Sequence, residues 1–124
     1  MIRLLPLLLF VAFATSAQAQ TETVSSRIYT EDPMHGGRFY EVHTIDLEPG
    51  DVLEVKMVSQ DFDTLVYVKS PMDTWANNDD CTSGDTTTSC LEHEAEYFGT
   101  YEIWAMTFER GAYGDYTIEY GKKE

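Results

Sequence analysis

Apolar and polar residues alternate with a period of two in a series of short runs, and beyond the first nineteen residues no stretch carries a capped 3.6-residue period. Arg38 to Leu47 sets Tyr40, Val42 and Thr44 on one face against Phe39, Glu41, His43 and Ile45 on the other. Glu48-Pro49-Gly50-Asp51 follows as a turn, with proline presetting φ and glycine free to take φ > 0. Val52 to Val58 then alternates Leu53, Val55 and Met57 with Val52, Glu54, Lys56 and Val58, so these two runs read as a hairpin. Thr64 to Lys69 is a third strong strand, and turn residues Ser70, Pro71 and Asp73 lead to a weaker return strand, Trp75 to Asn78. Asp79 to Ser89 is rich in Asp, Asn, Ser, Thr and Gly and reads as a loop.

Leu91 to Tyr97 interleaves three glutamates with Leu91, His93 and Ala95, which suits an edge strand protected by charge. Tyr101, Ile103 and Ala105 oppose Glu102, Trp104, Met106 and Phe108, and after a glycine-rich turn Tyr116, Ile118 and Tyr120 oppose Thr117 and Glu119. Residues 20–37 read as a polar lead-in with one short strand near Arg27 to Tyr29. About seven to eight short strands at near-regular spacing predict an all-β fold, an antiparallel β-sandwich occupying residues 38–124.

Residues 1–19 change the setting of that domain. One early Arg3, an apolar run from Leu4 to Ala14 and an Ala17-Gln18-Ala19 end predict a secretory signal peptide, the run being shorter than the ~20 residues that span a bilayer. Cleavage after Ala19 predicts a secreted or periplasmic protein of bacterial type with no membrane insertion, and the remaining 105 residues suit one domain. That remainder holds seven Lys and Arg against twenty-two Asp and Glu, a net charge of −15. Such a surface repels phosphate backbones and anionic lipids, excluding nucleic acid, and favours cations or basic partners; it also serves solubility alone.

The candidate chemistry is concentrated after Ser59. Cys81 and Cys90 are predicted to form a disulfide in an oxidising compartment, the spacing being long for a metal-thiolate site. Asp61 and Asp63 lie two apart, and a hairpin centred near Pro71 and Met72 brings Asp79 and Asp80 alongside. Four carboxylates there could hold calcium, a cation that takes six to eight oxygen ligands, or could act as turn caps and solvated charges. His35, His43 and His93 are scattered, and no serine sits in a G-x-S-x-G elbow. Trp75, Tyr97, Tyr101 and Trp104 read mainly as core, with Trp75, beside the turn, the candidate for an exposed ligand contact.

The order of an E-P-G-D turn, L-E-V-K-M-V-S, D-F-D-T-L-V-Y-V, N-N-D-D, G-T-Y-E-I-W and a final G-D-Y-T-I-E-Y resembles the bacterial pre-peptidase C-terminal domain, over most of Arg38 to Tyr120. The resemblance implies a jelly-roll sandwich that is an accessory to secreted peptidases and not itself an enzyme. It also implies calcium and collagen binding in the collagenase relatives, whose acidic segment before the first main strand is matched here only by Glu31 and Asp32, the weaker calcium candidates. The resulting expectation is a secreted, non-catalytic binding or accessory module, calcium-stabilised at Asp61, Asp63, Asp79 and Asp80, that meets an extracellular protein or polysaccharide. The competing readings are a small exported hydrolase using paired carboxylates and an acidic protein that captures a basic partner such as a peptidase.

Overall fold

The computed structural model describes residues 21–124; the signal peptide expected at 1–19 lies outside them. Nine strands are present among the described residues: β1 (Thr21–Ile28), β2 (Met34–His35), β3 (Arg38–Leu47), β4 (Val52–Val58), β5 (Thr64–Lys69), β6 (Trp75–Asn78), β7 (Thr88–Glu94), β8 (Gly99–Thr107) and β9 (Gly114–Lys123). They form two antiparallel sheets, one in the order β1-β9-β4-β7 and the other β2-β3-β8-β5-β6. No helix among these residues is long and apolar enough to cross a membrane.

The period-two patterns are realised as inner and outer rows. Leu53, Val55 and Met57 of β4, Tyr116, Ile118 and Tyr120 of β9, Tyr101, Ile103 and Ala105 of β8 and Val66 and Val68 of β5 meet in one buried core between the sheets. Burying such side chains stabilises by about 1.5–3 kcal/mol each before entropy is counted. β3 turns its Phe39 row inward, as alternation requires, which carries the polar Glu41 and His43 between the sheets along with Ile45 and Leu47.

Two expectations change. β3 and β4 do not pair: β3 hydrogen-bonds with β8 while β4 lies between β7 and β9 in the other sheet. The Glu48–Asp51 turn therefore crosses from one sheet to the other, with the Asp51 carboxylate accepting from the Glu48 amide at 2.8 Å and Gly50 at φ 93°. The polar lead-in is also more structured than its sequence suggests. Thr21–Ile28 forms an eight-residue edge strand registered on β9 from Thr21↔Gly121 to Ile28↔Gly114, with Ile28 fully buried.

One contact locks the open end of the sandwich. Gly114, at φ 146°, begins β9 against the Ser59–Asp63 bend, and a Cβ there would lie 2.4 Å from the Asp61 Cβ. The Asp61 carboxylate accepts the Asp115 amide at 2.8 Å, and the Ser59 hydroxyl donates to the Asp115 carbonyl at 2.7 Å.

Candidate functional site

The predicted acidic corner is reorganised rather than lost. Asp61 is exposed and capped onto β9, and it is not among the charges that act on Asp63. Alternation placed it with Asp63, but Ser59–Asp63 is a bend, where the strand rule does not apply. Asp63 instead feels Asp80, Asp79 and Glu109; partial burial first, and these neighbouring charges second, push its carboxyl above the usual range. The buried oxygens Asp63 Oδ1, Asn78 Oδ1 and Asp80 Oδ1 have no hydrogen-bond partner. Sequence reasoning missed Asn78, the last residue of β6, two positions before Asp80 in the turn that follows.

The loop that follows holds this corner in place. The Cys81–Cys90 disulfide joins Cα atoms 4.7 Å apart and ties the end of β6 to β7. Inside the loop, the Ser89 hydroxyl donates to the Asp79 carbonyl at 2.5 Å and lies 2.6 Å from the Thr64 hydroxyl, while the Cys81 amide donates to the Thr88 carbonyl at 2.8 Å. Asp85 caps Thr87 through both its amide and its hydroxyl. Among the described residues, no group of three or more His, Cys, Asp or Glu side chains is arranged to hold a metal ion. A cation at this corner would therefore draw on two carboxylates, one amide oxygen and backbone carbonyls, a donor set of the oxygen-only kind that calcium takes. Asp32 caps the Tyr29 amide at 2.7 Å and, like Glu31, takes no part in the corner.

A second polar group, not foreseen from sequence, lies between the sheets. The Tyr116 hydroxyl donates to Glu41 Oε1 at 2.5 Å, Ser26 donates to the same oxygen at 2.8 Å, and His43 Nε2 lies 2.8 Å from the Tyr116 hydroxyl oxygen. Because Tyr116 gives its proton to Glu41, His43 must carry its proton on Nε2. Burial, and then the Glu41 charge, push the Tyr116 phenol well above its usual value; burial outweighs Glu41 and lowers the His43 imidazole. With its pKa lower folded than unfolded, His43 takes up a proton more readily in the unfolded chain. Stability is expected to fall as pH drops through about 6.5 towards the lower folded value, which urea melts between pH 7.5 and 5.5 measure. A His43→Gln chain should lack that part of the decline.

Trp75, the expected ligand contact, is 45% exposed. Tyr101 is core, its hydroxyl donating to the Tyr97 carbonyl at 2.9 Å, whereas Trp104 stands on the outer face of the five-stranded sheet.

These features can be set against known proteins. No family model matches the chain, and no characterised sequence matches it. Solved structures that share its fold include two periplasmic inhibitors and one accessory domain. PliG of Aeromonas hydrophila, a periplasmic lysozyme inhibitor of g-type lysozyme, aligns with TM-score 0.57 at 16% identity over 91% of this chain and 93% of its own. The pre-peptidase C-terminal domain of Bacillus anthracis collagenase aligns with TM-score 0.57 at 12% identity over 81% and 88%. Salmonella Typhimurium PliG aligns with TM-score 0.56 at 13% identity over 91% and 95%. The chain thus has the β-sandwich fold of pre-peptidase C-terminal domains, the fold that its motif order suggested. The two inhibitors span more of the chain than the collagenase domain does.

Proposed function

We propose that this chain is an exported, non-catalytic module that binds a basic protein in the periplasm or outside the cell, with a g-type lysozyme as the first partner to test. The observation that carries the reading is the likeness, over nine-tenths of the chain, to two periplasmic inhibitors of that enzyme. The net charge of −15 on residues 20–124 supports it, since a cationic partner would be steered to such a surface. A disulfide between the two cysteines fits an oxidising compartment. In a cell-wall lysis assay, the purified chain is expected to slow g-type lysozyme and to saturate near one inhibitor per enzyme. Unchanged lysis at a large excess would remove this partner.

The module is further proposed to take up calcium at Asp63, Asn78 and Asp80, where the ionised Asp63 carboxylate is unfavourably placed without a cation. The sign is testable. A carboxyl whose pKa is higher folded than unfolded opposes folding when ionised, so in chelator Asp63→Asn is expected to melt higher than the wild type. With millimolar calcium the wild-type melting temperature should rise, and Asp63→Asn should lose that rise. Identical wild-type curves with calcium and with chelator would exclude the metal.

A further inference from the structure

The two most exposed large apolar side chains among the described residues are Phe98 and Met72, at 76% and 63%. They stand at one end of the sandwich on neighbouring loops, Met72 in loop 70–74 between β5 and β6 and Phe98 in loop 95–98 between β7 and β8. Pro71 packs against Gly99, where an added Cβ would lie 2.8 Å from the proline Cγ. Each exposed side chain is therefore one residue from the contact that joins the two loops. The 48–51 turn completes this end, its Gly50 amide donating to the Ala95 carbonyl at 2.9 Å and the Ala95 amide donating to the Asp51 carbonyl at 2.7 Å.

Hydrogen bonds fix the backbone of both loops. The oxygen of the buried Ser70 hydroxyl accepts the Met72 and Thr74 amides, each at 3.1 Å, and Asp73 sits at φ 60°, the one positive φ outside glycine among the described residues. In the other loop the Tyr101 hydroxyl accepts the Tyr97 amide at 3.1 Å and donates to the Tyr97 carbonyl. An apolar side chain presented on a preset loop loses less conformational freedom when a partner covers it. Aromatic residues and methionine are also the types enriched at protein interfaces, where a few such anchors carry most of the affinity. Beside them, Thr74, Trp75, His93, Glu96 and Tyr97 line a cavity of about 210 Å³. That is smaller than the ~300–1,000 Å³ of small-molecule sites and suits a single side chain.

Charge selects the partner. The three loops carry Glu48, Asp51, Asp73 and Glu96 and no Lys or Arg. The bordering cations are engaged, Lys69 lying 3.3 Å from Asp73 and Lys122 3.3 Å from Asp51, whereas Glu48 and Glu96 have no ion pair among the described residues. A second copy of the chain or an anionic lipid surface would meet like charge here, while a cationic protein meets opposite charge around two apolar anchors. We infer that this end of the sandwich is the docking surface for a basic protein. Met72 and Phe98 enter apolar recesses of the partner, and one of its Lys or Arg side chains enters the cavity beside Glu96. The inference rests on the proposed capture of a basic protein and adds the surface that performs it. The calcium corner lies at the other end of the β5–β6 hairpin and takes no part.

The test is titration into g-type lysozyme at 50 mM and 500 mM salt, comparing the wild type with Phe98→Ala, Met72→Ser and Glu96→Lys. Phe98→Ala is expected to weaken binding roughly thirtyfold, the loss of a central aromatic anchor, and Met72→Ser to weaken it less. Glu96→Lys should weaken binding more at the lower salt, where charges are screened least. All three side chains are exposed, so melting temperatures should stay at the wild-type value. If Phe98→Ala did perturb the fold, Glu96→Lys with its salt dependence decides alone. Tyr113→Ala, which removes an exposed ring from the loop before β9 at the opposite end, should leave affinity unchanged. Wild-type affinity retained by Phe98→Ala combined with Glu96→Lys would overturn this inference alone, with capture of a basic protein left to another surface. No binding by a cooperatively folded wild type would overturn both.

Discussion

Gly114→Val is expected to destabilise the chain by about 2–5 kcal/mol, adding the strain of a left-handed φ at a branched residue to an overpacked contact. A Cβ at Gly114 would meet the Asp61 side chain at 2.4 Å for Cβ and 2.8 Å for Oδ2, and neither partner is free to retreat. Asp61 is held by the Asp115 amide, and Ser59, two residues earlier, is held by the Asp115 carbonyl. Relief requires β9 to move away from the bend, which would disturb the end of its ladder with β1. The measurement is the urea midpoint against a Gly111→Val control. Gly111 also has a positive φ, 76°, but nothing within 4 Å of its Cβ position. The control should therefore show the backbone cost alone, and equal shifts for the two variants would mean that the close approach of Asp61 does not exist.

Opening the disulfide is the second large effect. Cys81 and Cys90 close a loop of about ten residues, for which the chain-entropy relation gives about 2.5–3 kcal/mol, or roughly 10–20 °C in melting temperature for a domain of this size. The loop's hydrogen bonds, from Ser89 to Asp79 and from Cys81 to Thr88, remain available after reduction, so the fold should survive at lower stability. A Cys81→Ala, Cys90→Ala double variant and the reduced wild type should melt at about the same temperature. If reduction left the melting temperature where it was, the bridge would not be constraining the unfolded chain. The proposed calcium corner should weaken with it, because Asp80 adjoins Cys81.

Legibility from sequence followed the strength of local alternation. β3, β4, β5 and β6 begin and end where the pattern put them, because each run is bounded by turn chemistry and carries a distinct apolar row. β1 was underestimated because Thr21 to Arg27 offers only Val24 to the core, and its register comes from β9, nearly a hundred residues away in sequence. The Glu48–Asp51 turn suits a hairpin and a crossing between sheets equally well. Which one forms is decided by β8 and β9, strands that local reading cannot consult.

The sites show the same division. The approach of Asp79 and Asp80 to Asp63 was legible because a hairpin fixes it, whereas Asp61 was grouped with them by applying strand alternation to a bend. The buried network of Ser26, Glu41, His43 and Tyr116 left one signal, the inward parity of Glu41 and His43 beside Phe39 and Ile45, which was visible but was not followed to a partner. Trp104 read as core because alternation separates two faces without saying which is outside. Only the assembled sheet shows its ring lying across Tyr40 and Trp75.

Capture of a basic protein by an acidic sandwich is tested most directly by calorimetric titration of residues 20–124 into g-type lysozyme at 50 mM and at 500 mM salt. A one-to-one complex whose affinity falls steeply with salt is the predicted result, because the attraction between exposed charges is screened as the Debye length shrinks. No heat of binding at either salt, from protein that melts cooperatively, would contradict it.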